Sequence, residues 1–374
     1  MEASQLKRST LFGDRRTTEL EGCTATAGIA TTGHQLAKTL GEAHVFEQVG
    51  REVENRFSIL QRRGTIASVF FFHRVLRGLA AEGFMKFCVF AKHLQGMSLA
   101  EACGRVAAAG FGGLDLTVRA GGYVDPARVT QELPGAIATI RSHGLEVPLL
   151  TTGIVEADAA AVALMMTAGD CGVREIKLHY WPIDTTQPMQ TQIDAAAAKL
   201  AKIADSARKS GVRANIHNHS GDCLQHSAWV VERLVRDHDP NWVGVYFDPA
   251  HYTIEGGLSG WSCAARMLAS RVSLLAVKDF RWVDAARPAT LEGHGWPTAQ
   301  ERRWVPVGTG NTPWAQSLQL LHDGGFDETG GAWASIHGEY QGRWSFRELT
   351  SIQVLEQCRS DREFLEKILH AKQK

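Results

Sequence analysis

From residue 85 almost to the C-terminus, short apolar runs alternate with longer stretches whose apolar residues recur every three or four positions. The short runs, bounded by Gly, Pro, Asn or Asp, predict strands, and the longer stretches predict amphipathic helices. Lys86-Phe87-Cys88-Val89-Phe90 is the first strand. Ser98 to Ala109 is the first helix, capped by Ser98 with Glu101 at the capping-box position and stopped at Gly110. Gly113 to Thr117 is the second strand, followed by a helix from Pro126 to His143. Val147 to Thr151 and a helix from Ala157 to Ala168 come next, then Glu175 to Leu178 and a long helix from Thr191 to Ser210, closed by Gly211. Val212 to Ile216 is the fifth strand, with a helix from Ala228 to Val235. Val243 to Phe247 is the sixth, with a helix from Trp261 to Leu268. Val272 to Val277 is the seventh, with a helix from Thr312 to His322. Ala332 to Ile336 is the eighth, and a last helix covers Phe346 to Leu369.

Eight strand-then-helix units in about 290 residues predict an α/β fold of the (β/α)8 TIM-barrel type, for which about 250 residues is usual. An open doubly wound sheet calls for a glycine-rich turn after its first strand, and Ala91-Lys92-His93-Leu94-Gln95 is not one. Residues 1–84 lack the pattern. They are expected to form a poorly ordered N-terminal extension to a barrel spanning 85–374, with Met85 a candidate natural start. Thr65 to Phe72 after Arg62-Arg63 is apolar, but it lies too deep in the chain to serve as a secretory signal from Met1.

Composition narrows the class. Lys+Arg 40 balance Asp+Glu 40, which argues against a nucleic-acid partner. No run is long enough to span a membrane, so no membrane partner is expected. Seven cysteines without CxxC spacing point to free thiols and a reducing, cytoplasmic setting.

In such a barrel the C-terminal strand ends share one mouth, where chemistry sits. They carry Arg119, His179, His217-Asn218-His219, Asp248-Pro249-Ala250-His251, Lys278-Asp279 and His337-Gly338-Glu339-Tyr340. Each has an ordinary reading: a hydrogen-bonded loop histidine, a cap at Asp248, a solvated Lys278-Asp279 pair, or Glu339 paired with Arg343. Together they are imidazoles and carboxylates converging from several strands, a donor set suited to a divalent metal.

These segments, with Gly113 to Arg119 and Val305 to Gly310, resemble the xylose-isomerase-like barrels, in particular the sugar phosphate isomerase/epimerase group, over nearly all of the chain after Met85. The resemblance implies a divalent ion (Mn, Mg, Co or Zn) held by His217, Asp248 and Glu339, a small sugar or polyol substrate, and pairing as a homodimer. The family's seventh-strand His-x-Lys-Asp reads Ala276-Val277-Lys278-Asp279 here, so one ligand is missing. His219 is then either a substitute ligand or a support for His217. The implied activity is metal-dependent isomerisation or epimerisation of a keto sugar by proton transfer alpha to its carbonyl. Glu339, Lys278 and His251 are the expected catalytic residues. Arg119, His179, His219 and His251 are the expected substrate contacts, and Trp181, Trp261 or Trp282 the candidates for stacking on a sugar face. Alternatives are a lyase dehydrating a keto-polyol, as in inosose dehydratases, an apurinic endonuclease, which the charge balance and Ala276 disfavour, and a non-catalytic sugar-binding barrel.

Overall fold

The computed structural model describes residues 85–284, 300–327 and 331–371, and the expected extension over 1–84 lies outside them. The first seven strands are β1 (Lys86–Phe90), β2 (Gly113–Val118), β3 (Glu146–Thr152), β4 (Glu175–Lys177), β5 (Arg213–His217), β6 (Val243–Phe247) and β7 (Val272–Val277). A hairpin follows, β8 (Asp279–Asp284) antiparallel to β9 (Gln300–Val305), and then β10 (Trp333–Ile336). All except the hairpin form one closed parallel barrel in the order β1-β10-β7-β6-β5-β4-β3-β2. Closure runs through the β1–β10 register, Lys86 opposite Trp333 through Val89 opposite Ile336.

Among the described residues, the α-helices are α1 (Leu99–Ala108), α2 (Val129–Ser142), α3 (Ala159–Asp170), α4 (Met189–Ser210), α5 (Ala228–Val235), α6 (Pro249–Leu268), α7 (Trp314–Asp323) and α8 (Ser351–Ala371). Local chemistry sets their ends. Ser98 Oγ accepts from Glu101 N at 3.2 Å and Asp158 Oδ1 from Ala161 N at 2.7 Å, each satisfying a first-turn amide. Gly211 ends α4 at φ 69, a left-handed position that suits a residue without a Cβ.

Strands covered by helices on one side and filled by side chains on the other are buried on both faces, so β2 is buried at all six positions, Asp115 and Thr117 included. The main apolar core is a shell between strands and helices. A second, small cluster of Leu149, Tyr246, Leu274 and Ala276 fills the barrel interior. Alternation along β7 therefore points Lys278, two residues beyond Ala276, into the mouth.

The eight barrel strands and the helix order are those predicted. Three features differ. The β8–β9 hairpin, with its charged strand Gln300–Val305, showed no clean apolar alternation. Helix α6 begins at Pro249, well before Trp261, and is interrupted at Gly257 (φ 54, ψ −133), where two glycines weaken the helical signal. Helix α8 begins at Ser351, not Phe346, because residues before it form a turn in which Glu348 accepts from Gly342 N at 2.7 Å.

Candidate active site

The ends of β5, β6 and β7 meet at one carboxylate. Asp248 is fully buried and serves two functions. Its Oδ1 caps α6 by accepting from His251 N at 3.1 Å. Its backbone is clamped by Asn218, whose side chain exchanges hydrogen bonds with Asp248 N (2.7 Å) and O (2.8 Å). This leaves Oδ2 aimed into the mouth, with Lys278 Nζ at 3.1 Å, His217 Nε2 at 3.6 Å and His251 Nε2 at 3.7 Å. Lys278 supplies a charge partner, yet Oδ2 has no aligned hydrogen bond, and neither Nε2 has one. Trp304, on β9, lies 4.9 Å below the Lys278 ammonium and edge-on to His251.

The other ring nitrogens set the tautomers. His217 Nδ1 lies 2.9 Å from Tyr180 Oη, and His251 Nδ1 2.8 Å from Ser220 Oγ. Burial and the Asp248 charge push the Tyr180 phenol well above its ordinary range, so it keeps its proton and can donate. If both hydroxyls donate to Nδ1, the imidazole protons sit on Nε2, facing the carboxylate, where lone pairs would be repelled. Burial, then the charges of Lys177 and Lys278, holds His217 well below its usual range; burial and Lys278 do the same for His251. Both rings are neutral at neutral pH. His219 is the reverse case. Its Nδ1 faces the Ser220 carbonyl at 2.7 Å and must donate, so Nε2 carries the lone pair. Burial and Lys278 lower His219 to about 4.

Glu339, past the end of β10, ion-pairs with Lys92 Nζ (3.2 Å), lies 3.3 Å from His93 Nε2, both residues just after β1, and does not pair with Arg343. Burial works against its ionisation, but the His93 hydrogen bond and the charges of Lys278 and Lys92 outweigh that and hold it well below the usual carboxylate range. Arg119 is half-buried at the end of β2, its guanidinium 5.7 Å from the Phe90 ring. His179 stacks beside Tyr180 at 5.1 Å, and burial, then Lys177 and Arg119, lower its pKa.

Below the mouth lie further polar groups, of which Lys177 and Asp115 were given no role from sequence and His337 was named only as a strand-end residue. Lys177 Nζ sits 4.0 Å from the Tyr180 ring centroid, and burial followed by the Arg119 charge pushes it down to about 7. Asp115 accepts from Thr151 (2.7 Å) and Ser335 (3.0 Å), and burial raises it to about 7. His337 Nε2 pairs with Tyr246 Oη at 2.7 Å. The available signal was alternation: Lys177 shares a strand face with His179, and a lysine in a three-residue barrel strand has few places to go but inward.

Asp279 is no solvated partner of Lys278. It is buried and accepts from Phe280 N, Gly308 N, Gly310 N and Thr312 N at 2.8 to 3.1 Å. The glycine loop 307–310 thus wraps a carboxylate of its own chain; a Cβ at Gly310 would collide with Asp279 Oδ1 and the Phe280 carbonyl. Of the tryptophans named from sequence, Trp181 is buried with its indole N–H on the Val155 carbonyl, Trp261 bonds Leu258 O within α6, and Trp282 is exposed on β8. Trp304 is the tryptophan that reaches the cluster.

A divalent ion was expected on His217, Asp248 and Glu339. The structure brings His217 and Asp248 together, with Glu339 engaged by Lys92 and His93. Among the described residues, no group of three or more His, Cys, Asp or Glu side chains is arranged to hold a metal ion. An ammonium stands 3.1 Å from Asp248 Oδ2, in the place a metal ion would need, and Glu339 is turned to Lys92 and His93. As they stand, these residues do not fit a divalent ion.

A closed parallel barrel with polar side chains massed at its C-terminal strand ends defines a (β/α)8 scaffold of the kind that carries active sites. A family model described as xylose isomerase-like TIM barrel matches residues 103–331, and the chain belongs to that family. Among solved structures it resembles D-psicose 3-epimerase from Clostridium cellulolyticum H10 (TM-score 0.54, 16% identity, covering 76% of this chain and 99% of that one). It also resembles 3-keto-D-glucoside 4-epimerase YcjR from E. coli (0.54, 12%, 75% and 99%) and the probable 3-DHS dehydratase AsbF from Bacillus anthracis (0.54, 13%, 75% and 99%). At these identities the likeness is one of fold. No curated protein sequence matches.

Proposed function

We propose that the chain is an isomerase or epimerase that moves a proton alpha to the carbonyl of a keto sugar or sugar derivative. The observation that carries the reading is the convergence of three buried polar atoms without hydrogen-bond partners, Asp248 Oδ2, His217 Nε2 and His251 Nε2, beside the Lys278 ammonium. Unsatisfied buried polar groups call for a ligand that satisfies them. A polyhydroxylated carbonyl compound does so: a hydroxyl donates to Oδ2, while the Nε2–H groups and the ammonium donate to hydroxyl and carbonyl oxygens. Two of the solved structures of like fold are sugar epimerases.

In this reading a base removes the proton on the carbon beside the carbonyl, and the electron pair moves to the carbonyl oxygen, where Lys278 donates to the developing charge. His219 Nε2 and the Glu339 carboxylate, both held free of protons at neutral pH, are the candidate bases. Return of the proton to the opposite face gives an epimer; return to the neighbouring carbon gives an isomer. Arg119 and His179 hold the remaining oxygens. The six described cysteines are free thiols, which suits a cytoplasmic enzyme. Dehydration of a keto-polyol is the second reading, favoured by an Nε2–H on His251 able to protonate a departing hydroxyl. Incubation with ketohexoses, 3-keto-glycosides and inososes, followed by chromatography, tests both. An epimer or aldose supports the proposal, an unsaturated product supports the lyase, and binding without product refutes catalysis.

A further inference from the structure

The family expectation of a divalent ion and the donors actually present disagree at one place, and the disagreement has a consistent physical pattern. Lys278 Nζ stands 3.1 Å from Asp248 Oδ2, with the side chains 4% and 0% exposed. Trp304 presents its ring 4.9 Å from the same ammonium, a buried cation–π contact. Tyr180 Oη and Ser220 Oγ meet the Nδ1 atoms of His217 and His251 at 2.9 and 2.8 Å, and hydroxyls donating there put Nε2–H groups, not lone pairs, toward Oδ2. One turn of the pleat below, Ala276 lies in an apolar layer with Leu149, Tyr246 and Leu274, so no donor rises from that position of β7. A divalent ion bound to Oδ2 would have to sit within a few ångströms of the Lys278 ammonium, which already stands 3.1 Å from that oxygen.

We propose that Lys278 is the resident cation of this site: its ammonium neutralises Asp248 and faces the substrate oxygen, so that the site takes no divalent ion. The role toward the substrate rests on the proton-transfer reading; the ion-pair role and the exclusion of metal do not. The ammonium donates a hydrogen bond to the substrate oxygen and exchanges no proton with carbon.

The test is metal content and metal binding of the full chain. Wild-type protein, Lys278→Met, Asp248→Asn and Lys278→Met/Asp248→Asn are purified in parallel, analysed for bound metals by plasma mass spectrometry, and titrated with MnCl2 and ZnCl2 by calorimetry. The expected result is a wild-type protein without stoichiometric metal, a gain of at least tenfold in Mn2+ or Zn2+ affinity on Lys278→Met, and its loss in the double variant. About one metal per wild-type chain, lost on Asp248→Asn, overturns the proposal, as does a folded Lys278→Met protein that gains no affinity. If Lys278→Met does not fold, the wild-type metal content with and without Asp248→Asn still decides. These readouts need no substrate, so their failure leaves the isomerase reading standing, and absence of turnover leaves the cation assignment standing.

Discussion

Removing the Lys278 charge should expose how strongly the site depends on it. At 3.1 Å the Coulomb attraction between Nζ and Asp248 Oδ2 is about 5 kcal/mol at an effective dielectric of about 20. Desolvation of both groups offsets much of this, but breaking a buried pair by deleting one partner typically costs about 3–5 kcal/mol, because the other charge is stranded. Lys278→Met keeps the length of the stem and removes the charge. Asp248→Asn keeps an oxygen to cap His251 N and removes the opposite charge. Each single variant should lose about 3–5 kcal/mol, which for a barrel of this size lowers the melting temperature by roughly 6–20 °C. The double variant strands neither charge, so it should be more stable than the sum of the two losses predicts, with a coupling of about 2–4 kcal/mol. Urea titrations at pH 7.5 of wild type and the three variants close the cycle. Additive losses, with coupling below about 1 kcal/mol as for an exposed ion pair, would refute the claim that this is a buried pair organising the mouth.

Four further outcomes are expected. The buried imidazoles of His217, His251 and His337 are held well below their ordinary pKa, chiefly by burial, so the unfolded chain binds more protons than the native one below about pH 6.5. Asp115, raised to about 7, opposes this by one native-state proton between its ordinary pKa and 7. Three protons against one make stability fall, as pH drops from 6.5 toward 5, by about 3 kcal/mol per unit from these groups alone, measurable by urea unfolding; a flat profile would contradict their burial as neutral rings. Asp115→Asn removes a carboxylate that is ionised at a cost above pH 7, so the variant should gain stability relative to wild type at pH 8 and keep only a minor part of that gain at pH 5, read from melting temperatures at both. Tyr180→Phe leaves His217 Nδ1 buried and unpaired, costing about 1–3 kcal/mol, and the His217 nitrogen shifts in NMR should report a changed tautomer. Gly310→Ala should destabilise by more than about 2 kcal/mol in thermal melts, since its Cβ would force the loop off Asp279; an unchanged melting temperature would show that the loop yields freely.

The parts of the site visible in the sequence are those set by strand alternation. His217, Asp248 and Lys278 stand at the ends of recognisable apolar runs, and a closed barrel leaves such residues one common place to go. The cap at Asp248 and its place in the cluster proved compatible, because its two oxygens divide the tasks. Glu339 shows where that logic stops. Its partners Lys92 and His93 lie just after β1, 247 and 246 residues away, and meet it only because β10 closes onto β1. No local pattern encodes that closure. Trp304 likewise reaches His251 and Lys278 through a hairpin whose second strand reads Gln-Glu-Arg-Arg before Trp304, without apolar alternation. The tautomers of His217, His219 and His251 depend on which atom meets each Nδ1, a three-dimensional fact that spacing alone does not contain.

The central claim is that this mouth takes a proton from carbon beside a carbonyl, and hydrogen–deuterium exchange measures that step itself. Wild-type protein is incubated in D2O with ketohexoses, 3-keto-glycosides and inososes and followed by proton NMR, beside His219→Ala, Glu339→Gln and Lys278→Met. The account predicts that one C–H alpha to the carbonyl of at least one compound exchanges, and that Lys278→Met slows the exchange by at least about a hundredfold, the scale of losing a main oxyanion donor. Folded wild-type protein that binds one of these compounds and exchanges no carbon-bound proton would contradict it.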